Sequence, residues 1–85
     1  MGVSISDARA QGLEGVVFTG SQDGVQRRFL AAREGLEDLE YNVLETAEAL
    51  MEAFQRQQAQ VALVAAKALQ EGAPGDPVLL QSLLA

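Results

Sequence analysis

The chain has 85 residues, a net charge of −6, and neither cysteine nor histidine. A chain of this length forms at most one domain of marginal stability, and the lack of cysteine excludes disulfides and thiolate metal sites. The acidic balance argues against binding a nucleic-acid backbone, and the lack of histidine removes the commonest general base and neutral metal ligand.

Residues 1–22 are predicted to form a flexible N-terminal arm. Glycine recurs through this segment and opposes helix formation. Its one apolar patch, residues 16–19, could form a short strand or dock on a helix. The first twenty residues lack the apolar core of a secretory signal peptide, and no segment is apolar enough to span a bilayer. We therefore expect a cytoplasmic protein, or one assembled into a particle or exported without a cleaved signal peptide.

Residues 23–72 are predicted to form one long amphipathic helix. Asp23 can cap its first turn, and Gln26 occupies the position that a capping box gives to Glu or Gln. No glycine or proline occurs between Leu36 and Glu71, and Gly72 is placed to end the helix.

A stripe of apolar residues supports a continuous helix across Gly35. At 100° per residue the apolar side chains from position 25 to position 68 stay on one side, and the stripe does not shift at Gly35. On this interpretation, Gly35→Ala should be neutral or mildly stabilising. Gln57 falls on the stripe, where it either fixes the register of packed helices or lies at the edge with its amide in water.

Residues 73–85 are predicted to form a Pro/Gly turn and a short apolar C-terminal helix, with Asp76 as N-cap and Pro77 as first helical residue. The segments Lys67-Ala68-Leu69 and Pro74-Gly75-Asp76-Pro77-Val78-Leu79-Leu80 are together similar to the helix–turn–helix junction of type III secretion needle subunits. The resemblance implies a second helix after the turn, although only eight residues follow Pro77.

The predicted fold class is therefore all-α, with nearly straight helices packed into an oligomer. A helix over residues 24–71 would be roughly 70 Å long, whereas a globule of this size has a radius of gyration of about 12 Å. The apolar stripe must then be buried against other chains. The predicted interface comprises Val25, Phe29, Leu36, Leu39, Val43, Leu50, Phe54, Val61, Leu79, Leu80, Leu83 and Leu84.

The sequence predicts no enzyme, because it contains no arrangement of nucleophile, base or phosphate-binding loop. We expect no cofactor, metal site, nucleic acid or small-molecule substrate. The favoured function is a structural subunit that packs through its long helix into a homo-oligomer, ring or filament, as in a phage or secretion machine. The alternative is a small acidic helical regulator, chaperone or inhibitor that binds one protein partner. The expected partners are other copies of the chain and, on the alternative, a second protein.

Overall fold

A four-stranded sheet and three helices build residues 2–84, which are the residues that the computed structural model describes. The strand order is β1-β2-β3-β4, with antiparallel pairing among the first three strands and parallel pairing of β4 with β3. The all-α prediction is therefore wrong, and the fold is mixed α/β. In chain order the elements are β1 (Ser4–Gln11), β2 (Gly15–Gln22), β3 (Val25–Ala32), α1 (Arg33–Glu40), α2 (Ala47–Arg56), α3 (Gln58–Glu71) and β4 (Val78–Leu80).

The predicted flexible arm is instead a β-hairpin of β1 and β2. Gly12 takes a positive φ of 56° in the connecting turn, where the Glu14 amide donates to the Gln11 carbonyl at 3.0 Å. Glycine therefore serves a tight turn here and does not make the segment flexible. In β1 the pairing register shifts between Ser6 and Arg9, which marks a β-bulge.

Asp23 and Gly24 form the two-residue turn between β2 and β3, so Asp23 does not begin a helix. Both have positive φ, 53° and 81°, which is the conformation that a tight hairpin with right-handed strand twist requires. The antiparallel register places Phe18 opposite Phe29, and their rings stack with centroids 5.3 Å apart. The first ten residues of the predicted long helix therefore belong to a turn and a strand.

The rest of the predicted long helix is divided into three helices. Tyr41 ends α1 in the left-handed conformation, with φ of 53°, and a loop follows in which Leu44 is buried. The hydroxyl of Thr46 then caps α2 by accepting from the Ala49 amide at 3.0 Å. Gln57 separates α2 from α3, and α3 ends at Gly72 with φ of 67°, as predicted. The prediction of a single helix over residues 23–72 is thus wrong.

The predicted C-terminal helix is also wrong, because the segment after the turn forms β4 beside β3. Phe29 pairs with Val78 and Ala31 with Leu80, which directs both β4 side chains into the core. Residues 81–84 continue without regular structure, and the Gln60 amide donates to the Leu83 carbonyl at 2.9 Å. The second helix implied by the resemblance to needle subunits is therefore absent from the described residues.

One hydrophobic core lies between the helices and one face of the sheet. Phe18 is at its centre, because its ring stacks on Phe29 and also contacts Phe54 with centroids 5.3 Å apart. Leu36 and Leu50 from the helices are fully buried against this aromatic group, as is Leu83. Burial of large apolar side chains from all parts of the chain provides most of the driving force for folding.

Glu40 links the end of α1 to the junction of α2 and α3. Its carboxylate accepts from Arg56 Nε at 2.9 Å and from Gln57 Nε2 at 2.7 Å. Hydrogen bonds from Arg56 and then Gln57 hold the pKa of the Glu40 carboxyl below its ordinary value of 4.5. The polar residue on the predicted stripe, Gln57, is thus bonded within its own chain.

Glu40→Gln should lower the thermal stability at pH 7. A depressed folded-state pKa contributes stability above the unfolded-state pKa, and that stability is lost as the pH falls through the folded value. The difference in melting temperature between wild type and variant should therefore narrow below about pH 4.5. Glu48→Gln, at an exposed position of α2, is the control. If the melting temperature of Glu40→Gln lies below that of wild type by the same amount from pH 7 to pH 3, the charge of Glu40 does not contribute to stability.

Gly35→Ala should destabilise the protein, contrary to the expectation from a continuous helix. A Cβ at position 35 would lie 2.9 Å from Leu83 Cγ and 3.1 Å from the Gln81 carbonyl oxygen. Overpacking typically costs about 1–3 kcal/mol. This cost equals or exceeds the roughly 1 kcal/mol that alanine gains over glycine in helix propensity. Denaturant unfolding measures the change in the free energy of unfolding. The control is Asp38→Ala, at an exposed position of the same helix. A stabilised Gly35→Ala variant would show that the C-terminal segment does not pack on α1.

Candidate functional site

Most of the residues predicted to contact other chains are buried inside this one. Seven lie in the core of the single chain, and Leu39 is partly buried against it. Four are exposed and remain available to a partner. The buried seven are Phe29, Leu36, Leu50, Phe54, Val61, Leu80 and Leu83, and the exposed four are Val25, Val43, Leu79 and Leu84.

The exposed large apolar side chains gather around β4. Among the described residues seven such side chains are exposed, and six of them line three grooves that share Leu79 or Leu84. Val25, at the start of β3, lies outside these grooves. The six are Leu13, Tyr41, Val43, Leu63, Leu79 and Leu84.

The central groove runs between α3 and the outer side of β4 and has a volume of about 380 Å³. Leu63, Val64 and Ala68 contribute its α3 side, while Leu79 and Leu84 contribute the C-terminal side. Leu79 is 54% exposed and Leu84 is 62% exposed, although both border a cavity with apolar walls. We call this groove the β4-edge groove.

Lys67 and Glu71 are the charged residues of the β4-edge groove. Together with Leu63 they are spaced by four residues along α3, so the three side chains form one row on the helix surface. Neither charge has an ion-pair partner within 4.0 Å among residues 2–84. The row therefore presents one apolar, one positive and one negative group to whatever fills the groove.

Two further grooves extend the apolar surface to either side. Leu79 also borders a groove of about 340 Å³ that reaches Leu13 in the β1–β2 turn. Leu84 borders another, of about 580 Å³, that contains Tyr41 and Val43. Tyr41 is 95% exposed and has positive φ, an unusual state for an aromatic residue. Exposed apolar side chains therefore occur in all three grooves, and the two flanking grooves also contain charged residues.

The two edges of the sheet differ in how they are protected. The outer strand β1 carries a bulge and the charged side chains of Asp7 and Arg9 along its length. Bulges and charges are the usual means of preventing another strand from pairing with an edge. The described part of β4 has the sequence Val-Leu-Leu, with neither bulge nor charge, and pairs on one side alone. Its outward backbone groups can accept a further strand.

The β4-edge groove offers apolar, charged and hydrogen-bonding groups. Its lining combines apolar side chains with one amine, one carboxylate and the polar groups of Gln81 and Ser82. Among residues 2–84 no three carboxylates lie close enough together to hold a metal ion. The same residues contain no helix with the length and apolar character of a membrane span.

Acidic side chains are concentrated elsewhere on the chain. Residues 34–52 contain seven of the twelve acidic side chains and no basic one. Glu37 and Asp38 border the groove that contains Tyr41, and Glu34 borders the groove that contains Leu13. The acidic segment therefore borders both flanking grooves, and Lys67 and Glu71 are the charged residues of the β4-edge groove between them.

The fold resembles the crystal structure of a protein of unknown function from the DUF1488 family of Shewanella loihica PV-4. The match has a TM-score of 0.72 at 19% sequence identity and covers 96% of this chain and 97% of that chain. No sequence-family profile matches the chain, and no curated protein does. At this identity the likeness supports the mixed α/β fold and carries no function.

Proposed function

We propose that this protein is a non-enzymatic subunit that works by binding another protein chain along the β4 edge. The observation that supports the proposal is the gathering of six exposed large apolar side chains around one unprotected strand. Exposed apolar side chains that gather on one surface and are bordered by polar residues commonly mark a protein-binding site.

Strand addition is the binding mode that this edge favours. An incoming extended segment would form main-chain hydrogen bonds with β4, and its alternate side chains would enter the β4-edge groove. Leu63 and Leu79 would lose their exposure to water in such a complex. The binding energy would then come from apolar burial at the groove, and the β4 backbone would set the direction of the partner.

Two kinds of partner agree with this proposal. Another copy of the chain would make the protein a self-assembling subunit, now through a sheet edge and not through a long helix. A different protein would make it a small acidic regulator or chaperone, and the acidic residues 34–52 would favour a basic surface beside the groove. The long helix that suggested a filament or secretion component is absent, so that origin is not proposed.

Photo-crosslinking from position 79 tests the proposal. We expect Leu79→p-benzoyl-phenylalanine, irradiated in the cells that produce the protein, to give one discrete species of higher mass. The same probe at Glu48, which is exposed on α2 away from the groove, should give none. Adding Leu63→Lys and Leu84→Lys should abolish the species, because both charges enter the apolar contact.

The outcome depends on the fold remaining intact. Leu63 and Leu84 are exposed, so the lysine variants should melt within a few degrees of wild type. Loss of the crosslinked species with an unchanged melting temperature would support a binding surface. Failure to crosslink from position 79, or an equal yield from position 48, would contradict the proposed function whatever the partner.

A further inference from the structure

We propose that the partner is a second copy of this chain, whose β4 pairs antiparallel with β4 about a two-fold axis through Leu79. This inference rests on the proposed function and specifies the occupant of the same edge. The product is a symmetric dimer with one eight-stranded sheet. The proposal is supported by the shape of the edge, by the charges on α3 and by the extent of the apolar surface.

The first support is that the β4 edge is complementary to itself. Two identical strands related by a two-fold axis normal to a sheet run antiparallel, and the central residue of each lies opposite its own counterpart. Leu79 is central in the three-residue strand and projects on the sheet face away from the core. Two Leu79 side chains would therefore pack together at the axis and cover each other's exposed surface.

The second support is the charge pattern of α3. A two-fold axis normal to the sheet leaves both copies of α3 on the same side of the joined sheet and running in opposite directions. Leu79, Lys67 and Glu71 line the same groove. In the proposed dimer the axis lies level with the point between Lys67 and Glu71, so that each lysine faces the other copy's glutamate. The row then forms two reciprocal ion pairs, which no other arrangement of two antiparallel α3 helices provides for both charges.

The third support is the extent of the apolar surface. A stable interface buries about 800 Å² on each partner, which is roughly a sixth of the 5013 Å² accessible surface of this chain. The β4-edge groove borders α3 and β4, and the two flanking grooves extend from it to the β1–β2 turn and to the end of α1. A second copy brings leucines of its own to this edge, whereas a single extended peptide covers the central groove alone.

Disulfide trapping at the axis tests the pairing directly, because the natural chain contains no cysteine. Leu79→Cys places two thiols opposite each other across the paired strands, within reach of a disulfide. Under mild oxidation we expect most of the protein to become a covalently linked dimer. Val25→Cys, equally exposed but outside the grooves, should link far more slowly and serves as the control.

Charge reversal on α3 tests the register. In the Leu79→Cys background, Lys67→Glu alone or Glu71→Lys alone should slow linkage about fivefold, because like charges then face each other. The double variant Lys67→Glu with Glu71→Lys should restore the original rate. Arg9→Glu makes the same charge change on β1 and should have no effect.

The outcomes separate this inference from the proposed function. One outcome is that Leu79→Cys links no faster than Val25→Cys while the photo-crosslinker at position 79 still captures a different protein. That result would contradict a second copy as the partner and would support the β4 edge as a binding surface. If Leu79→Cys links rapidly but the double charge variant does not recover, the proposed register of α3 is wrong. If Leu79→Cys links rapidly and the double charge variant restores the original rate, the results support both a second copy as the partner and the proposed register of α3.

Discussion

The structure depends on the parallel pairing of β4 with β3. This pairing returns the end of the chain to the middle of the fold, so that Val78 and Leu80 close the core beneath the helices. It also directs Leu83 against Gly35 of α1, where a methyl group would not fit. The same pairing leaves the outer side of β4 open and surrounds it with leucines. The closure of the core and the proposed binding edge therefore both depend on the three residues of β4.

The sequence supported the helices better than the strands. Ala, Leu, Glu and Gln in residues 47–71 predicted helix, and that part is helical apart from the interruption at Gln57. The region before it is a strand whose sequence also fits a helix, because Val25, Phe29 and Ala32 satisfy a helical period over eight residues, which is too short to exclude a strand. The pair Asp23-Gly24, between segments rich in Val and Phe, is a strong hairpin signal and favours the strand over the helix.

The candidate site could be predicted in part. Leu79 and Leu84 were expected at an interface because nothing in a short apolar tail could cover them, and they lie at the centre of the β4-edge groove. Leu13, Tyr41 and Leu63 were missed, since they are far apart in sequence and meet through the chain topology alone. Conversely, Leu50 and Phe54 were assigned to an interface because an assumed long helix offered them no cover within the chain.

Sedimentation velocity across a wide range of concentrations tests the central claim, which is that the β4 edge joins two copies. The chain has a mass of 9.0 kDa, so the dimer has about twice that mass. We predict a single species of the dimer mass at high concentration that dissociates to the monomer on dilution. Leu79→Lys should shift this equilibrium to the monomer without lowering the melting temperature of the monomer. A wild-type protein that sediments as a monomer at every concentration would contradict the account, as would a dimer that Leu79→Lys leaves intact.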